Sequence, residues 1–203
     1  MSSETLTPER ILDAAEEVLR RYGPAKANVV DVARALGVSH GSVYRHFPTK
    51  ADLRDAVASR WLARVSAPLR EIAEEDGPAA DRLQRWLRAL AAAKQRKVQD
   101  DPELFATYHA IAEDSRAVVR AHVDELVGQL ARIVADGRRQ GAFQVDNAEA
   151  AARSVFDATQ RFHHPAHSDE WTDPGIDRAF ERVLALLLAG LTAPAAGGLA
   201  ERR

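Results

Sequence analysis

The chain has 203 residues, no cysteine, and a nearly balanced charge of −2 from 28 basic and 30 acidic side chains. The lack of cysteine excludes disulfides and thiolate metal sites. The first 20 residues are charged throughout, and no apolar run approaches the roughly 18 residues of a membrane span. We therefore expect a cytoplasmic protein without a membrane partner. The length suits a small helical domain followed by a larger one.

The first helix is predicted from its start and stop signals. Thr7 can cap a helix whose first position is Pro8. Apolar residues then recur at helical spacing from Ile11 to Tyr22, and Gly23-Pro24 ends the pattern. The chain therefore begins with an amphipathic helix.

Two short helices that meet at a glycine are predicted between Asn28 and Lys50. Asn28 has the side chain of an N-cap, Gly37 supplies the left-handed conformation that ends the first helix, and Ser39 caps the second. This is the pattern of a helix-turn-helix, which offers its second helix to the DNA major groove. The alternative interpretation is a pair of amphipathic helices with a solvated outer face.

The two faces of the second helix differ in chemistry. Val43 and Phe47 lie four residues apart and form an inner face, whereas Gly41 and Arg45 point away from the core. Glycine lets the backbone approach a surface closely, and arginine can pair with guanine or phosphate. Residues 26–50 carry four basic side chains and one acidic side chain, a net +3 within a chain of −2. These properties favour contact with a polyanion.

Residues 8 to about 60 resemble the DNA-binding domain of TetR-family transcriptional regulators. The matching strings are ILDAAEEVLRRYG and VVDVARALGVSHGSVYRHFPTKADL, with the core GVS-x-G-[ST]-x-Y-x-[HY]-F-x-x-K. The resemblance implies that residues 38–47 form the recognition helix. Family members often place a threonine hydroxyl at the start of the preceding helix, and Asn28 stands there in this chain. The residues expected to contact DNA are Asn28, Ser39, His40, Gly41, Ser42, Tyr44, Arg45, His46 and Lys50.

The predicted fold is all-α throughout, because no segment alternates apolar and polar residues between turn signals. Residues 1–50 are interpreted as a three-helix DNA-binding domain, and residues 51–203 as a helical domain for effector binding and dimerisation. A fourth helix begins at Lys50 and connects the two, with a kink or break expected at Pro68.

The later helices are predicted from their capping residues. Asp146 and Glu149 have the spacing of a capping box, and the helix that they introduce is expected to reach Phe162. Asp173 is expected to cap the last helix, with Pro174 at its first position.

The last two helices are the predicted homodimer interface. The apolar stripe from Ile176 to Leu191 is wide for a small monomeric core, although burial in that core is the alternative. The resemblance agrees, because these helices commonly pair with their mates in the family. A dimer would match a palindromic operator, since helix-turn-helix proteins bind paired half-sites.

A small-molecule effector is expected to bind among the middle helices, where aromatic and polar side chains mix. Ligand pockets are mostly apolar with a few placed polar groups. Ordinary core aromatics are the alternative for each residue. The candidate lining residues are Trp86, Phe105, Tyr108, His109, Phe156, Gln160 and His163.

The histidines His163, His164 and His167 form the most unusual cluster in the chain. They could bind zinc or nickel, or they could end a helix, where imidazolium favours the dipole. We expect no metal and no cofactor, and no enzyme, because nothing resembles a catalytic constellation. The sequence therefore predicts a ligand-responsive DNA-binding regulator, a repressor that a small molecule releases from its operator. The alternative is a metal-responsive protein that uses the histidine cluster.

Overall fold

The computed structural model describes residues 5–23 and 28–193 of the chain. These residues form helices and no strand, which confirms the all-α prediction. Short 3₁₀ helices at Gln160–Phe162 and Pro165–Thr172 separate the last two α-helices. The α-helices are α1 Pro8–Tyr22, α2 Val29–Leu36, α3 His40–Tyr44, α4 Lys50–Glu74, α5 Ala79–Asp100, α6 Pro102–Asp114, α7 Arg116–Arg139, α8 Ala148–Ala158 and α9 Ile176–Thr192.

The described residues divide into two compact units. The first unit extends to Arg64 and includes Asp100–His122, and the second unit contains Val65–Gln99 and the described residues from Val123 onward. These limits lie within α4, at the end of α5 and within α7 rather than at residue 50. The predicted functional division at residue 50 stays a prediction. Within the described residues, no helix is both long and apolar enough to span a membrane.

The core of the first unit is built from the apolar faces of its short helices. Ile11, Val32 and Val43 are almost completely buried, one from each of α1, α2 and α3. Thr7 accepts a hydrogen bond from the backbone of Arg10, which fixes the start of α1 as the sequence predicts. This small core holds α3 in place while leaving its other face exposed.

The second unit has the larger core. Trp86 and Leu90 of α5 pack with Leu130 and Ile133 of α7 in an interior that excludes solvent. The predicted stripe on α9 packs against this core, with Val183, Leu187 and Leu188 partly buried, whereas Leu186, which lies outside that stripe, is 74% exposed. The buried part consists of Ile176, Phe180, Leu184 and Leu191.

Two of the predicted helix starts are wrong. Asn147, not Asp146, caps α8, and its side chain accepts from the backbone N–H groups of Glu149 and Ala150. Glu149 therefore lies in the first turn rather than at the end of a capping box. The last helix starts at Ile176, because the Asp173 carboxylate accepts from the Gly175 N–H at 2.7 Å and closes a turn before the helix.

Two other predictions concern helix continuity, and the structure shows a shorter helix after Asn147 and no break at Pro68. The helix expected to reach Phe162 ends at Ala158, and a 3₁₀ turn follows in which the Phe162 N–H donates to the Thr159 carbonyl at 3.0 Å. The helix α4 continues through Pro68. Because proline has no N–H, the Arg64 carbonyl, four residues earlier, loses its helical hydrogen-bond donor. Pro68 and Arg64 are both exposed, so a water molecule can donate to that carbonyl instead.

Candidate nucleic-acid interface and effector region

The turn between α2 and α3 is built as the sequence predicts. Gly37 adopts the left-handed conformation with φ 67° and ψ 28°, and the Val38 N–H donates to the Ala33 carbonyl at 3.0 Å. Ser39 then caps α3, because its hydroxyl accepts from the Ser42 N–H at 3.2 Å. These bonds fix the direction in which α3 leaves α2.

The recognition helix is shorter than residues 38–47. The regular part of α3 is His40–Tyr44, followed by a turn in which the Phe47 N–H still donates to the Val43 carbonyl at 3.0 Å. Val43 and Phe47 are buried, which confirms the predicted inner face. Burial of these two residues places the remaining side chains of α3 on the outer face.

The outer face of α3 carries exposed polar groups that contact one another. Ser39, His40, Gly41, Arg45 and His46 are exposed, and Ser42 and Tyr44 are half-buried. Arg45 Nη2 donates to Ser42 Oγ at 3.1 Å, and Ser42 Oγ lies 2.9 Å from Ser39 Oγ. The Tyr44 ring stands edge-on to His40 with 6.4 Å between centroids. The guanidinium is therefore held by a hydroxyl of its own helix.

Gly41 has no side chain although the fold leaves room for one. A Cβ at this position would meet only Ser39 Oγ, at 3.8 Å, which is an ordinary contact. The glycine is therefore not required by packing within the described residues. Its effect is to leave the centre of the outer face open to close approach by another surface.

Asn28 and Lys50 stand at the starts of the flanking helices. The Asn28 Oδ1 accepts from the Val30 N–H at 2.9 Å and from the Asp31 N–H at 3.1 Å, so the amide oxygen serves as the cap. Lys50 opens α4 and is exposed. The basic Lys26, which contributes to the charge of this segment, lies outside the described residues.

The first turn of α4 is closed by a capping box. The Thr49 N–H donates to the Asp52 carboxylate at 2.8 Å, and the Asp52 N–H donates to the Thr49 hydroxyl at 3.1 Å. The reciprocal bonds fix the start of α4 directly after the turn that follows α3.

The sequence does not reveal the ion pairs that join α4 to other helices of the first unit. Glu16 of α1 is 8% exposed and pairs with Arg64 at 2.8 Å and Arg60 at 3.3 Å. Arg54 of α4 pairs with Asp114 of α6. No local spacing pattern predicts these contacts, because the partners lie roughly 50 or more positions apart.

Three of the predicted effector-lining residues lie in the first unit. The Tyr108 ring stacks on Trp61 with 4.9 Å between centroids and a 2° interplanar angle, and burial raises the pKa of Tyr108 to about 12. Phe105 packs edge-on against Trp61, and His109 stacks on Phe105. The structure brings these three residues together around Trp61, which the sequence prediction did not include.

The other predicted lining residues lie in the second unit. Trp86 Nε1 donates to Gln129 Oε1 at 2.9 Å within the core. Phe156 packs on His163 with 4.7 Å between ring centroids, whereas Gln160 donates to Asp157 at 3.2 Å. The seven candidates are therefore divided between the two units, and their role as lining residues stays a prediction.

The three clustered histidines have different surroundings. His163 is 5% exposed, its Nε2 lies 3.2 Å from Thr159 Oγ1, and burial together with Lys94 lowers its pKa to about 3. His164 accepts from the Ala166 N–H, and His167 Nδ1 lies 2.8 Å from the Glu170 carboxylate. Among the residues that the structure describes, no three histidine or acidic side chains are arranged to hold a metal ion.

Family models match both parts of the chain. The model for bacterial regulatory proteins of the tetR family matches residues 11–57, and the model for the tetracyclin repressor-like C-terminal domain matches residues 79–184. The chain belongs to the TetR family. The first match contains the helix-turn-helix, which confirms the family named in the sequence interpretation.

Similar proteins extend this comparison. The HTH-type transcriptional regulator Rv1255c of Mycobacterium tuberculosis is 32% identical over 51% of this chain and 49% of its own length, so the match spans about half of that relative. Nucleoid occlusion factor SlmA of Aliivibrio fischeri is 27% identical over 89% of this chain and 93% of its own.

Solved structures share the fold of this TetR-family chain. SmeT, the repressor of the Stenotrophomonas maltophilia efflux pump SmeDEF, has a TM-score of 0.66 at 20% identity and covers 98% of each chain. Thermus thermophilus FadR in complex with lauroyl-CoA has a TM-score of 0.61 at 22% identity, over 96% of this chain and 100% of its own. At these identities the likeness shows the fold alone.

Proposed function

We propose that the protein is a homodimeric, cytoplasmic repressor that binds a palindromic operator through α3 and leaves it when a small molecule binds. It acts by binding rather than by catalysis. The observation that carries the DNA-binding site is the outer face of α3, where Gly41 leaves room that packing does not need and Arg45 is exposed beside it. A backbone that can approach closely and a guanidinium that can pair with guanine both suit contact with the DNA major groove.

The flanking residues support a phosphate-contacting role. Asn28 and Lys50 stand at the starts of α2 and α4, where backbone N–H groups and the helix dipole favour an anion. In this arrangement the phosphate contacts would set the register of the protein on the DNA, and α3 would read the bases. The remaining proposed contacts lie on the same surface. They are Ser39, His40, Ser42, Tyr44 and His46.

The dimer is proposed to form through α8 and α9. The exposed side of α9 carries Leu186, Ala185 and Ala189, and α8 exposes Ala150 and Ala158. Small and apolar surfaces of this kind let two helices approach closely and bury area against a second copy. A two-fold pair of recognition helices would match a palindromic operator.

The release step is proposed from the relatives. Thermus thermophilus FadR was solved with lauroyl-CoA and SmeT with triclosan, and both ligands have large apolar parts. Apart from Gln160, the candidate lining residues of this chain are aromatic or pack against aromatic rings. An effector shifts the population of DNA-binding conformations only if it binds one of them more tightly.

The test is operator binding by a variant that carries Tyr44→Ala and Arg45→Ala. We expect at least about a 30-fold loss of affinity, because two contacts of about 1–3 kcal/mol each contribute at least about 2 kcal/mol together. The matched control is Arg132→Ala, which removes the same charge from an exposed position on α7. Unchanged affinity of the double variant in a gel-shift titration, with the dimer intact, would refute the assignment of α3.

A further inference from the structure

The junction between α6 and α7 is tied to the start of α4 by a buried hydrogen bond. Ser115 is the one residue between these two helices, and it is 4% exposed. Its hydroxyl donates to the Asp55 carboxylate at 2.5 Å, and the neighbouring Asp114 pairs with Arg54 at the surface. A buried hydrogen bond to an ionised acceptor is stronger than an exposed ion pair, so the Ser115–Asp55 bond is the main link.

The backbone of Ser115 serves its own two helices, which leaves the hydroxyl for α4. The Ser115 N–H donates to the Ala112 carbonyl at 3.0 Å and closes α6. The Val119 N–H donates to the Ser115 carbonyl at 3.1 Å and opens α7. Loss of the hydroxyl alone therefore keeps both helix ends.

Further contacts continue this tie along α4 and α6. Val57 of α4 and Ile111 of α6 are both 1% exposed and line the same small buried space. One turn further along α4, Tyr108 stacks on Trp61, and Phe105 packs edge-on against the same ring. Positions that rise along α4 therefore meet positions that fall along α6. The helix α6 runs antiparallel to the first half of α4, within the first unit.

This arrangement makes α6 part of the body that carries the predicted DNA contacts. Lys50 opens α4 shortly before Asp55, and the capping box of Thr49 and Asp52 fixes the turn between them. The chain leaves the first unit within α4 and within α7, and each of these is one continuous helix. Without the tie, α3 and Lys50 would be joined to the rest of the chain through α4 alone. With the tie, α7 supports the same body.

We propose that Asp55 and Ser115 are positioning residues that hold the two recognition helices of the dimer at one spacing. This inference rests on the proposed function and names two residues that determine its specificity without touching DNA. A two-fold dimer selects the distance between half-sites only if each recognition helix is held firmly on its own subunit. The bond between α4 and the α6–α7 junction supplies that restraint, in addition to the continuity of α4.

The test measures how strictly the protein discriminates between operator spacings. The wild type first selects an inverted repeat from a random duplex library, and the spacer of that repeat is then lengthened or shortened by single base pairs. Asp55→Ala and Ser115→Ala should each reduce the preference for the selected spacer by about 3- to 10-fold, because a hydrogen bond to a charged group contributes roughly 10-fold or more to an equilibrium. Affinity for a duplex with a single half-site should stay within about 2-fold, because α3 and its caps are unchanged.

Two further variants separate positioning from a general loss of stability. Asp55→Asn keeps an acceptor oxygen for the Ser115 hydroxyl and should retain most of the spacing preference. Ser59→Ala removes a hydroxyl from an exposed position on the same helix and should retain all of it. Because Asp55 is only half-buried, its variants still decide the matter if Ser115→Ala does not fold.

Hydrogen–deuterium exchange without DNA tests the tie by itself. In Asp55→Ala, amide exchange should become faster at the end of α6 as well as in the first turns of α4, whereas Ser59→Ala should leave α6 unchanged. Three results would overturn the inference: an unchanged spacing preference in Asp55→Ala and Ser115→Ala, an equal loss of affinity for the single half-site and the full operator, or unchanged exchange in α6. Failure of the wild type to select any operator would refute the proposed function instead, and the exchange result would still decide whether the bond ties α6 to α4.

Discussion

Ser42→Ala tests whether a hydroxyl on the recognition helix positions the arginine that reads DNA. The change removes the oxygen that accepts from Arg45 Nη2 at 3.1 Å and lies 2.9 Å from Ser39 Oγ. It keeps the helix cap, because Ser39 accepts from the Ser42 backbone N–H. Hydrogen bonds contribute about 0.5–1.5 kcal/mol net, and this one is largely exposed, so we expect the lower part of that range.

The measurement is a double-mutant cycle in operator affinity. Ser42→Ala alone should weaken binding about 2- to 5-fold, which corresponds to about 0.5–1 kcal/mol. In the Arg45→Ala background the same change should have a smaller effect, limited to the contact that Ser42 itself makes with DNA, so the coupling energy carries most of the loss. Ser42→Thr keeps the hydroxyl and should restore affinity. A coupling energy near zero, or equal losses in both backgrounds, would show that Ser42 does not position the arginine.

Three further predictions concern packing, pH and assembly. Gly137→Ala should lower the free energy of unfolding by about 1–3 kcal/mol, because the new Cβ would lie 2.1 Å from buried Phe143. Gly128→Ala in the same helix places its Cβ where nothing lies within 4 Å, so it should raise the free energy of unfolding by about 0.5–1 kcal/mol. Urea titration measures the free energy of unfolding of both variants, and equal effects would contradict the packing of Phe143 against Gly137. The pKa of His163 is about 3 in the folded protein, so between pH 6.5 and pH 5 only the unfolded state binds a proton at this side chain. The free energy of unfolding should therefore fall by about 2 kcal/mol over that range. A His163→Gln variant with the same acid sensitivity would contradict this. Leu186→Glu should convert the dimer to monomer in light scattering, and an unchanged mass would exclude this face of α9 from the interface.

Local signals predicted the DNA-binding half well. The caps at Thr7, Asn28 and Ser39, and the left-handed Gly37, depend on residues within three positions of each other, so the sequence contains all the information that they need. The inner face of α3 follows from helical spacing alone. The regular helix is shorter than the resemblance implies, because the turn after Tyr44 tightens before Pro48.

The helix boundaries of the second unit were harder to predict, because alternative local hydrogen bonds compete at the ends of its helices. Asn147 and Asp146 are both good capping residues, and only the three-dimensional course of the chain selects Asn147. The change from α8 to a 3₁₀ turn after Ala158 is not revealed by apolar spacing. The burial of Lys94 was not predicted, because a lysine on a helix is expected to be exposed until packing shows otherwise.

Selection of DNA sequences by the purified protein tests the central claim most directly. A random duplex library, bound by the wild type and by the variant with Tyr44→Ala and Arg45→Ala, would be sequenced after each round. We predict that the wild type enriches an inverted repeat whose half-sites are related by two-fold symmetry, and that the variant enriches none. No enrichment by the wild type, or the same repeat enriched by the variant, would contradict the account of α3 as the surface that reads DNA.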